Sequence, residues 1–104
     1  MNRFYGLTAL LLTVVLSQAT AQSTYVRIAK LVVDSIHLAD YTAALQEEIE
    51  SAVRVESGVL SMYAVANKNQ PHHLTIIETY ASRAAYEQHI QTPHFQKYKT
   101  GTLA

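Results

Sequence analysis

The longest apolar stretch comes first: Leu7 to Leu16 carries no charge, follows Arg3, and gives way to Ser17, Gln18 and then Ala19-Thr20-Ala21. A short positive start, an apolar middle and small residues at the end are the three parts of a secretory signal. A bilayer core takes about 20 apolar residues as helix, roughly twice this run, so the segment does not suit a stable membrane anchor. The sequence predicts a signal peptide over residues 1–21, cleavage after Ala21, and an exported domain over 22–104, in the periplasm or outside the cell.

Beyond the cut the periodicity changes. Tyr25 to Val33 is rich in β-branched and aliphatic residues, with Arg27 and Lys30 inside it, and reads as a strand ended by Asp34 and Ser35. Leu38, Tyr41, Leu45, Ile49, Ala52 and Val53 then recur at spacings of three and four, which predicts an amphipathic helix capped near Asp34 or Ser35. Glu47, Glu48 and Glu50 are expected on its solvated side rather than as a metal or base cluster. Gly58 is expected to end the helix, followed by a second strand, Val59 to Ala66. After the polar turn Asn67 to Pro71, His73 to Tyr80 alternates strictly, Leu74, Ile76, Glu78 and Tyr80 on one face and Thr75, Ile77 and Thr79 on the other. Ser82 suits the cap of a second helix over Arg83 to Gln91, and Thr92-Pro93 the start of a further short helical turn.

Strand, helix, strand, strand, helix is the order of a split β-α-β unit, so the fold class is α+β, ferredoxin-like, with the middle strands as a hairpin and the closing strand missing from the chain. Two helices cover one sheet face while alternating strands leave apolar residues on the other. This predicts a homodimer.

Composition narrows the chemistry. Eight Lys+Arg against eight Asp+Glu leave no basic footprint for nucleic acid. Zero cysteines exclude disulfides, thiolate metal sites, cysteine nucleophiles and lipidation at the signal cut. His72 and His73 are adjacent, point to opposite faces of an extended strand, and are poorly placed to chelate one ion.

Glu56-Ser57-Gly58-Val59-Leu60 with Tyr63, then Ile77-Glu78-Thr79-Tyr80, then Ala85, His89 and Thr92-Pro93-His94-Phe95 with Tyr98 together resemble the antibiotic biosynthesis monooxygenase family. The likeness spans nearly all of Tyr25 to Thr102. It implies a ferredoxin-like dimeric α/β barrel, packing sheet against sheet, and oxidation of quinols or polyphenols by molecular oxygen without metal or flavin. It also implies a final strand that this sequence lacks. Haem-degrading relatives share the layout but use an asparagine, a tryptophan and a histidine where this chain has Lys30 or Ala29, His89 and Lys99, and the chain has no tryptophan.

His89 follows Tyr86 by three residues and Ala85 by four, on or beside the helix face that packs on the sheet, where a histidine can serve as general base. It is the candidate catalytic residue. Its alternative role is to tie the helix to the Thr92-Pro93 turn. Tyr63, Glu78, Tyr80, His94 and Phe95 are the candidate substrate-binding residues for an aromatic small molecule, with Tyr63 or Tyr80 stabilising an oxyanion and Leu60, Ile76 and Phe95 excluding water. Each has a structural alternative: packing for His94 and the tyrosines, and for Glu78 an ion pair with Arg27, Lys30 or Arg83 across a dimer interface. No cofactor and no metal is expected. A dimeric ligand-binding or stress-response module of the same fold is the competing function.

Overall fold

The computed structural model describes residues 23–102, and the signal peptide expected over 1–21 lies outside them. The elements are β1 (Tyr25–Val32), a single 3-10 turn (Ser35–His37), α1 (Leu38–Val55), β2 (Val59–Ala66), β3 (His73–Tyr80), α2 (Arg83–His89) and α3 (Pro93–Thr102). This is the expected ferredoxin-like order with one more helix.

β3 has the cleanest alternation and takes the centre of the sheet, pairing antiparallel with β1 on one side and β2 on the other. Tyr80, Glu78, Ile76 and Leu74 point to the helices and are buried. They meet α1 through two apolar clusters, Ala52, Val59, Met62 and Tyr80 at one end and Leu45, Leu74 and Ile76 at the other. Val53, read from the sequence as part of the apolar stripe, is exposed. Burial of an aliphatic or aromatic side chain contributes about 1.5–3 kcal/mol, so these few residues carry most of the stability.

Local signals set the element ends. Asp34 caps the 3-10 turn by accepting from the Ile36 amide at 3.1 Å, and Ser82 caps α2 by accepting from the Ala85 amide at 3.1 Å. Gly58 has an ordinary backbone φ, so it does not end α1 through a left-handed cap. Its role is close approach. A Cβ there would lie 2.7 Å from the Ala85 Cβ, so glycine lets α2 lie against the start of β2.

The C-terminal segment exceeds the short turn expected of it. α3 runs for ten residues, started by Pro93 with the Thr92 hydroxyl accepting from the Phe95 amide at 3.3 Å. It packs on α1 through a hydrogen bond between the Tyr98 and Tyr41 hydroxyls, with Lys97 paired to Glu47 at 2.6 Å. Among the described residues β1 keeps one unpaired edge.

Candidate active site

The space between the sheet and the three helices is lined with charge. Arg27, Glu48, Glu78 and His89 surround a cleft of about 100 Å³, with Tyr86, Phe95 and Tyr98 as aromatic walls. Glu48, Glu78 and His89 are all buried, at 4 %, 5 % and 1 % exposure. Buried charge is retained only where partners compensate its lost hydration. A larger cleft of about 550 Å³ lies where β1 runs into α1, beside the end of α3, but its Asp34, His37 and Asp40 are exposed.

His89, the last residue of α2, is held from both sides. Its Nδ1 donates to Glu56 Oε2 at 2.7 Å, and its Nε2 stands 3.1 Å from Glu48 Oε1. Glu48 Oε1 is buried with His89 Nε2 as its near polar neighbour, and the contact is ionic when the imidazole is protonated. Glu56 Oε2 also accepts from His94 Nε2 at 2.6 Å, so one carboxylate oxygen joins both imidazoles. Burial alone would lower the His89 pKa, but the two carboxylates outweigh it and hold the pKa above the usual histidine value. The rings of Phe95 and Tyr80 enclose the imidazole, with centroids 5.2 and 5.5 Å away. Glu48, His89 and His94 each offer a metal-ligating atom, and these atoms lie within 4.8 Å of one another.

A second network lies on the sheet. Arg27 stands opposite Glu78 in the β1–β3 register and donates to Glu78 Oε2 at 2.6 Å, while the Tyr80 hydroxyl donates to Glu78 Oε1 at 2.6 Å. Burial first, then the bond to Glu78, pushes the Tyr80 phenol far above its usual pKa. The Arg27 guanidinium also lies 5.7 Å from the Tyr86 ring centre.

The structure brings some expected residues together and separates others. His89, Glu78 and Phe95 line the cleft. Tyr80 is completely buried and holds Glu78, so its proton is committed there. His94 contacts Glu56, a partnership that packing alone did not suggest. Glu78 does take Arg27 as its partner, but within one chain. Tyr63 is opposite Ile77 on the outer face of the sheet, half exposed and away from His89, and Leu60 is exposed at a bulge in β2. Neither joins the cleft. His72 lies in the turn and His73 opens β3, with their rings 4.5 Å apart.

Glu48 was missed because three glutamates in four positions resemble a solvated face. Its spacing held the answer: it follows Leu45 by three and precedes Ala52 by four, in the middle of the buried stripe. Glu56 gave no such signal, since it lies just past the helix.

The antibiotic biosynthesis monooxygenase family model matches residues 24–101. A crystal structure from Bacteroides thetaiotaomicron, named as an antibiotic biosynthesis monooxygenase, is 53% identical, with a TM-score of 0.77 over 78% of this chain and 77% of its own. A protein from Lactobacillus acidophilus, named as a monooxygenase, is 28% identical, with a TM-score of 0.75 over 76% of this chain and 38% of its own. One from Caulobacter crescentus, at 21% identity and a TM-score of 0.73 over 79% of this chain and 77% of its own, shares the fold. No curated protein matches the sequence.

Proposed function

We propose a reaction for this chain from one premise: it belongs to the antibiotic biosynthesis monooxygenase family. The reaction is oxidation of a quinol-like or polyphenolic small molecule by molecular oxygen, without metal or flavin. The observation that carries this reading is His89, buried between two carboxylates at the wall of an aromatic cleft. At about 100 Å³ the cleft is smaller than the engineered cavity of about 150 Å³ that binds benzene, so a substrate ring is held only in part within it.

His89 takes a phenolic proton at Nε2, and Glu56, accepting from Nδ1, orients the ring and stabilises the imidazolium that forms. The anion passes one electron to oxygen, and the radical pair closes a carbon–oxygen bond at a ring carbon. Loss of water from the hydroperoxide leaves a hydroxyquinone. One oxygen atom enters the product, the other leaves as water, and the substrate supplies all the electrons, so no external reductant is needed. Arg27 on Glu78 and the walls formed by Tyr86 and Phe95 orient the ring and exclude water.

The reading includes a homodimer joined through the outer sheet face, where Val26, Ile28, Val32, Tyr63 and Val65 are all exposed. It also includes export after cleavage at Ala21, for which a secreted product beginning at Gln22 by intact mass is the check. Oxygen uptake with a panel of quinols in the presence of chelator tests the chemistry. Labelled oxygen in the quinone product is expected, and ligand binding with no oxygen uptake would favour the non-catalytic module.

A further inference from the structure

We infer that Glu48, His89 and His94 form a binding site for one divalent transition-metal ion per chain. One cluster of side chains, and its burial, lead there. One ligand-capable atom from each residue falls within 4.8 Å of the others, which is a two-histidine, one-carboxylate donor set. Within that set, Glu48 Oε1 is buried and meets only His89 Nε2, at 3.1 Å. A buried carboxylate oxygen is costly unless something cationic meets it, the protonated imidazole in the metal-free chain or an ion in its place.

The surroundings fit an ion better than an accident of packing. Metal-binding histidines usually donate their other ring nitrogen to a carboxylate, which fixes the tautomer and the ring plane. Glu56 does this for His89 by accepting from Nδ1, which leaves Nε2 facing Glu48. Zinc bonds to nitrogen and oxygen of about 2.0–2.1 Å place adjacent tetrahedral ligands about 3.3 Å apart, close to the observed separation of these two atoms. His94 is the partly exposed member, and its Nε2, 2.6 Å from Glu56 Oε2 in the metal-free chain, would exchange that partner for the ion. Three protein ligands leave a fourth position open. The donor set suits zinc, and iron(II) also uses two histidines and a carboxylate.

The inference does not rest on the proposed oxidation and constrains it, because Nε2 of His89 cannot hold an ion and accept a proton together. The test is zinc titration of the chelator-treated mature protein by calorimetry, with cobalt(II) as a spectroscopic probe of nitrogen ligation. One zinc per chain is expected. Glu48→Gln, nearly isosteric, should weaken binding by at least the roughly 10–100-fold that loss of even an outer partner costs. His94→Gln should do the same, and carries the test if Glu48→Gln fails to fold. Glu47→Gln and a His72→Ala/His73→Ala double variant should bind as the parent does. No uptake, undiminished uptake in both site variants, or loss in the double variant would overturn the inference. Zinc binding without any quinol oxidation would leave it standing and remove the oxidation reading. Quinol oxidation without zinc uptake would do the reverse.

Discussion

The two faces of the sheet differ in what they carry beyond an ordinary core. The inner face, under the helices, buries Glu78 beside Glu48 and His89. The outer face exposes Val26, Ile28, Val32 and Val65 with Tyr63. Buried charge within an otherwise apolar core and exposed hydrocarbon outside both oppose the stability of an isolated domain. The proposed function rests on this difference, with chemistry within and association without.

One substitution made on each face tests this contrast and has the largest expected effects. Ile76→Asp places a charge at a position only 6 % exposed. Loss of a buried isoleucine costs about 2–5 kcal/mol before the charge is counted, against a total of about 5–15 kcal/mol, so cooperative melting should disappear. Ile28→Asp lies on the outer face, 62 % exposed, and should leave each copy folded within about 0.5 kcal/mol. Sedimentation should show the parent as a dimer and Ile28→Asp as a monomer. Equal unfolding by both variants would mean that the outer face is not a separate surface.

The inner network gives a smaller effect. Tyr80→Phe removes a hydrogen bond to a buried carboxylate and should lower stability by about 1.5–3 kcal/mol in urea unfolding. A neutral result would mean that Glu78 is satisfied by Arg27 alone.

The smallest effect is set by pH. His89 faces Glu48 from α1, Glu56 beyond it, Tyr80 from β3 and His94 from α3. Its folded pKa is above the unfolded value of about 6.5, so its stabilising contribution is complete below that pH and is lost as pH rises through the folded pKa. With chelator present, melting temperature should fall over this interval in the parent and much less in His89→Gln. A rise in the parent would reverse the assigned sign.

The sequence revealed the architecture better than the site. Strict alternation in His73 to Tyr80 fixed the faces of β3, and the caps at Ser82 and Thr92 were legible because capping is a local matter, whereas Asp34 caps the 3-10 turn and α1 itself starts after His37 without a side-chain cap. The length of α3 was not, since Thr100 to Thr102 carries no strong helical signal and is held partly by Tyr98 against Tyr41. His89 could be found from helix spacing. Its carboxylate partners could not be joined to it, because Glu56 is 33 residues away and only the packing of α2 brings them within hydrogen-bond distance. Tyr63 was misplaced for a related reason: an aromatic residue suits either face of a strand, and its pairing with Ile77 decides which.

The most direct measurement of the central claim is the rate of oxygen consumption by chelated parent and His89→Gln dimers with the same quinol. The account predicts a fall of about 10²–10⁴-fold with dimer and melting transition retained, as expected when a general base is removed. A folded His89→Gln dimer that oxidises the quinol at the parental rate would contradict it.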